Sequence, residues 1–201
     1  MNVVSVVGPG GSGKSTLVQC FSKYYPVLSE EYDVLSLHGV PPTKILSKWN
    51  WISRWFNEVL KMKATNVELF ITDRCPLDAV AYVTEREVLL RAVLESLREL
   101  KLLAILVYTF CLDANTDILR KRLSRRKQFK KKYDGGLLES NVRMQEEALG
   151  FFRNNKELWS MYFDSSNTNL GRIKVELRDF IKSVKKGAAR PVSLDFGKWV
   201  I

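Results

Sequence analysis

Residues 8 to 15 read Gly-Pro-Gly-Gly-Ser-Gly-Lys-Ser, the spacing of a loop that wraps phosphates. Gly8, Gly10, Gly11 and Gly13, with Pro9 and Ser12 between them, let successive backbone N–H groups turn toward one centre. A helix opening at Lys14 adds the positive end of its dipole to that nest. Lys14, expected to stand exposed on the loop, can bridge β- and γ-phosphates. The Ser15 hydroxyl suits Mg²⁺, with Thr16 a neighbour of lesser claim. The bland alternative is a glycine-rich turn that holds nothing, but a strand precedes the loop and a helical period follows it, which is the context the chemistry needs. A bound ATP or GTP is therefore expected.

A second chemical stretch, "FITDRCPLDAVAY" from Phe70 to Tyr82, carries Asp73 and Arg74. They fall at the carboxyl end of an apolar strand, the edge where open α/β sheets gather ligands. An acid there can hold Mg²⁺ through water or take a proton from an acceptor hydroxyl, and a guanidinium can grip a moving phosphoryl group. Taken alone, the pair would read as a surface ion pair; beside a phosphate loop it reads as part of a site.

Elements must position these groups. Apolar runs of strand length alternate with helical periods, which predicts a mainly parallel sheet of about five strands between helical layers, a three-layer α/β/α sandwich. The expected strands are Val3 to Val7, a short one at 27–29 or 34–37, "VELFITD" from Val67, Leu103 to Thr109, and one ending at "SMYFDSS". Leu17, Cys20, Phe21 and Tyr24 should form one stripe of the first helix. Pro41 and Pro42 should open a helix carrying Ile52, Trp55, Phe56 and Val59, and Pro76 should start another, with or without a break, to Leu100. Asp113 or Asn115 is placed to cap the next helix. Leu138, Val142, Leu149 and Phe152 continue as a helix, and Leu170 to Lys185 is a last amphipathic one.

The 201 residues, without an internal linker, suggest a single domain over 1–201. At 46% hydrophobic and 27% charged, the chain is too apolar to be disordered. "LLAILVYTFCL" from Leu102 is half a bilayer span and reads as a buried strand, so no membrane partner is expected. The amino terminus enters strand sequence without a leader, and Cys20, Cys75 and Cys111 with His38 offer neither a disulfide framework nor a zinc site. Both point to the cytoplasm; a homodimer is left open. The net charge of +10 is concentrated between Asp117 and Asp134, where Arg120, Lys121, Arg122, Arg125, Arg126, Lys127, Lys130, Lys131 and Lys132 meet no acid. Such a run is a solvated helix face or a polyanion dock.

With these motifs the chain resembles the P-loop kinases of the thymidylate kinase and deoxynucleoside kinase superfamily. Members carry a loop like Gly8 to Ser15 and an acid-arginine pair like Asp73-Arg74 after the third strand. "LDANTDILRKRLSRR" from Leu112 resembles the arginine-rich helix leading into their lid, here about 120–136, and "NVRMQEEALGFF" from Asn141 resembles the helix after it. The resemblance implies a P-loop NTPase fold and transfer of the γ-phosphoryl group of ATP, with Mg²⁺. Catalytic roles are implied for Lys14, Asp73, Arg74, Arg122 and Arg126, and metal ligation for Ser15 and Asp73. Arg122 and Arg126 are four apart, on one helical face.

The acceptor divides three ways. A nucleoside monophosphate needs cations rather than a strong base and is the expected substrate. A nucleoside needs a general base, and Glu30 or Glu31 after "YPVLS" loosely matches the glutamate of deoxynucleoside kinases. The third reading is a nucleic-acid-binding ATPase or polynucleotide 5′-end kinase, for which Phe129 and Tyr133 are the only aromatics in the basic run. Trp51 or Trp55 could stack a base or belong to the core. Arg54, Arg86, Arg91 and above all Arg143 are candidate substrate clamps. A switch GTPase comes last, since no guanine-reading NKxD stretch occurs.

Overall fold

The computed structural model describes residues 1–29, 45–129 and 142–194. Its sheet has the order β2-β3-β1-β4-β5, and every strand pair is parallel. The strands are β1 (Asn2–Val7), β2 (Val27–Leu28), β3 (Leu69–Asp73), β4 (Leu106–Asp113) and β5 (Met161–Asp164). β1 lies centrally, pairing Val4 with both Ile71 and Tyr108.

Strand periodicity builds two cores. Val3, Val7, Phe70, Val107 and Cys111 point to one face, and Val4, Val6, Ile71, Tyr108, Phe110 and Leu112 to the other. The first face is covered by α2 (Ile45–Ala64), α3 (Pro76–Val80), α4 (Arg86–Leu102) and α6 (Val142–Asn154). The second is covered by α1 (Lys14–Gln19) and α7 (Leu170–Lys185). Helix α7 buries Ile173, Leu177, Phe180, Ile181 and Val184, a stripe worth about 10 kcal/mol before entropy costs. The chain is thus the expected three-layer α/β/α sandwich around a five-stranded parallel sheet.

Some element bounds differ from expectation. The run beginning at Leu102 is not strand throughout: Leu102 ends α4 and is exposed, and Ala104 turns the chain at φ 56. β4 instead continues to Asp113, because Phe110 to Asp113 pair with β5 as well. The carboxyl end of this strand therefore lies four residues beyond the expected Thr109. The cap of α5 (Thr116–Phe129) is Asn115, whose Oδ1 accepts the Asp117 N–H at 2.8 Å. Helix α1 stops at Gln19, so Leu17 and Phe21 are buried while Tyr24 stands in solvent. A break separates α3 from α4. β2 is the first of its two candidate segments; the second, 34–37, lies outside the described residues with Glu30, Glu31, His38, Pro41, Pro42 and Lys130 to Lys132. Among the described residues, no helix is long and apolar enough to cross a membrane.

Candidate functional site

Parallel pairing brings the carboxyl ends of β1, β3 and β4 to one edge. Val6 is in register with Asp73, and Val7 with Cys111. The phosphate loop leaves β1 at Gly8, where φ is 138 and a Cβ would lie 2.2 Å from the Leu112 carbonyl oxygen. Only glycine fits this approach to β4. Gly13, at φ 100, turns the loop into α1.

Lys14 is buried at 5% exposure rather than standing free as expected. Its Nζ donates to the carbonyl oxygens of Gly8 at 2.7 Å and Pro9 at 2.9 Å, so the side chain arcs back over the loop. Arg122, on α5, reaches the other side of the loop: its Nη1 donates to Ser12 O at 3.1 Å and Gly11 O at 3.4 Å. Two cations therefore rest on loop carbonyls, where phosphate oxygens can compete for them. Ser12 Oγ is buried without a hydrogen-bond partner, and Ser15 and Thr16 are exposed.

Across the loop, Asp73 is 3% exposed at the end of β3, and Arg74 follows it at φ 76. A left-handed backbone is uncommon for a side chain of this kind. It is held by the Arg74 N–H donating to Val6 O at 2.9 Å and by Thr72 Oγ1 donating to Arg74 O at 2.7 Å.

The next helix and the turn after it add two residues that sequence reasoning missed. Asp78 accepts the Gly8 N–H at 3.3 Å through Oδ1 and the Cys75 N–H at 3.2 Å through Oδ2. Its Oδ1 lies 3.9 Å from the Arg74 guanidinium. Burial pushes this carboxyl up to about 6, against the pull of Arg74 and Lys14. Tyr82 Oη accepts the Gly10 N–H at 3.2 Å. A signal for Asp78 was present: Pro76 followed two residues later by an acid is the pattern of a helix start with a reciprocal cap.

A third group closes the edge at β4. Arg153 on α6 donates to both Asp113 carboxylate oxygens and to Ala114 O, and the Tyr162 hydroxyl donates to Asp113 Oδ2. This network anchors α6 to the end of β4.

The remaining sequence candidates are placed elsewhere. Trp55 is fully enclosed in the core and Trp51 nearly so, which leaves Trp55 no ring face for a base. Arg143 is turned to solvent, paired with Glu147 on its own helix at 3.0 Å. Arg86 reaches Ala81 O and Glu147, Arg91 pairs with Glu87, and Arg120 pairs with Glu146; Arg54 is exposed. The backbone of α5 passes through Arg126, whose side chain is outside the described ones, and Glu30 and Glu31 are likewise outside.

No family model matches the chain, and no curated protein matches it in sequence. Its fold does match solved structures. A deoxyadenosine kinase from M. mycoides, with dCMP and a flexible dCDP bound as products, superposes at a TM-score of 0.59 with 15% identity, covering 90% of this chain and 99% of that one. A thymidylate kinase from Candida albicans gives 0.61 with 11% identity, covering 95% and 97%. A shikimate kinase from Acinetobacter baumannii in complex with shikimate gives 0.52 with 14% identity, covering 92% and 94%. At such identities the likeness is one of fold, and the fold is that of the P-loop kinases.

Proposed function

We propose, from the premise of a P-loop kinase fold, that the protein is an ATP-dependent phosphotransferase whose acceptor is a nucleoside monophosphate. The observation that carries this reading is the meeting, at one sheet edge, of a loop bearing Lys14 and Arg122 on its carbonyls with the Asp73-Arg74 corner.

The residues fit the triphosphate. Ser12 Oγ is a buried polar atom without a partner, and two cations sit where anionic oxygens can displace carbonyls. The exposed Ser15 hydroxyl and the Asp73 carboxylate are oxygen donors, the kind that Mg²⁺ takes. When bound, Mg²⁺ would neutralise charge on the β- and γ-phosphates.

The chain's own part is positioning and electrostatics. Loop amides hold the phosphates, Lys14 exchanges the Gly8 and Pro9 carbonyls for phosphate oxygens, and Arg122 makes the same exchange from Gly11 and Ser12. Arg74, and Arg126 in the lid, are assigned to the charge of the moving group. An oxygen of the acceptor phosphate forms a bond to the γ-phosphorus, the bond to the β-phosphate oxygen breaks, and ADP departs. That acceptor oxygen is already ionised near neutral pH, so no proton has to be removed.

A nucleoside acceptor is the second reading, supported by the likeness to the deoxyadenosine kinase. Its hydroxyl proton would then go to Glu30, Glu31 or Asp73. Incubation with Mg²⁺, γ-labelled ATP and separate nucleosides, monophosphates and 5′-hydroxyl oligonucleotides tests both. Label on monophosphates alone supports the first reading, label on nucleosides the second, and label on oligonucleotides alone replaces both with an end kinase.

A further inference from the structure

We propose that Asp78 is a positioning residue whose buried carboxylate ties the first amide of the phosphate loop to the Asp73-Arg74 corner and so sets their spacing for phosphoryl transfer. This rests on the reading of the chain as a P-loop phosphotransferase.

The bland role for Asp78 is to cap α3. It does accept the Cys75 N–H at the start of that helix. Capping alone needs only one carboxylate oxygen, and an exposed acid would serve as well. Asp78 is instead 1% exposed, and burial raises the cost of its charge. Its other oxygen crosses seventy positions of sequence to the Gly8 N–H and faces the Arg74 guanidinium.

Each of those partners is a point of backbone constraint. Gly8 has φ 138 and passes against the Leu112 carbonyl, and Arg74 has φ 76. Strained conformations persist where the surroundings over-determine them. Arg74 is gripped by Val6 O behind, Thr72 Oγ1 at its carbonyl and Asp78 at its side chain. Tyr82, four residues after Asp78, holds the Gly10 N–H, so this short segment grips the loop twice. The loop and the corner thus share one carboxylate, and a shift in either is felt by the other.

Two substitutions separate the tie from the cap. In Asp78→Asn the side-chain carbonyl still accepts the Gly8 N–H, but no charge faces Arg74. In Asp78→Ala both links are lost. Each variant is compared with wild type by urea unfolding, Mg-ATP affinity without acceptor, and kcat with whichever acceptor wild type labels. Asp78→Asn should keep ATP affinity within about threefold while kcat falls at least about tenfold. Asp78→Ala should lose about tenfold or more in both. Hydrogen exchange at the Gly8 amide, read by NMR without nucleotide, should accelerate in Asp78→Ala and stay near wild type in Asp78→Asn. Should wild type label no acceptor, the kinase reading fails, and the exchange pattern still decides the tie. Two folded variants with wild-type kcat would overturn the proposal, as would unchanged Gly8 exchange in Asp78→Ala. A chain that folds with neither substitution would make Asp78 purely structural and overturn it as well.

Discussion

Replacing Asp78 by Asn should cost the protein less stability at pH 8 than at pH 5, whatever it does to turnover. The carboxyl is buried and its value rises from 3.8 to about 6, with desolvation outweighing Arg74 and Lys14. The folded chain therefore holds this proton more tightly than the unfolded chain does. Its contribution to stability is fullest below the unfolded value and is lost as pH rises through about 6. Integrated between pH 5 and pH 8, the loss is about 1.4 kcal/mol, which is about 3–6 °C in midpoint for a chain of this size. Asn carries no titrating group, so its stability lacks that slope. The amide facing the Cys75 N–H costs about 1–3 kcal/mol, but equally at both pH values. Urea unfolding of both proteins at the two pH values measures the difference of differences, in which the other titrating groups cancel. A variant offset that is the same at both pH values within about 0.3 kcal/mol, or that moves against Asn as pH rises, would refute the reasoning.

Gly8→Ala should lose more than about 3 kcal/mol in denaturation, since its Cβ would fall 2.2 Å from a backbone oxygen. Gly13→Ala, with open space around it, should lose only about 1–2 kcal/mol for the left-handed backbone. Asp73→Asn should reduce turnover by about tenfold or more and by a larger factor than it weakens Mg-ATP affinity measured by calorimetry, because an acid proposed to act on Mg²⁺ or the acceptor is needed more in transfer than in nucleotide binding. Arg122→Ala should slow turnover by a similar factor and leave unfolding within about 1 kcal/mol of wild type, its bonds being to half-buried loop carbonyls that water can satisfy.

The loop and the sheet were legible because both depend on local pattern. Glycine spacing, a preceding strand and a following helix locate Gly8 to Ser15, and an apolar run of strand length locates Val3 to Val7. Ends of elements were harder. Asp113 looks like a cap because it is an acid before a helix, yet tertiary pairing with β5 and Arg153 makes it the last residue of a buried strand. Leu102 and Leu103 look like core and are exposed, since apolar character does not say where a helix ends. Trp55 shows the same ambiguity in reverse: one helical stripe serves a stacking face or a core equally well, and only the burial of α2 in the core decides. Lys14 was read as a loop residue and therefore as exposed, but the loop's own carbonyls draw it inward. Asp78 went unnoticed because its chief partner, Gly8, is seventy residues away, and no local period reports such a contact.

The most direct test of phosphoryl transfer by this chain is to follow label from γ-labelled ATP, with Mg²⁺, into purified monophosphates, using wild type and Lys14→Ala side by side. Transfer to at least one nucleoside monophosphate by wild type, with ADP formed in equal amount and none by Lys14→Ala, is the expected result. Label that reaches no small acceptor, or that Lys14→Ala transfers at the wild-type rate, would contradict it.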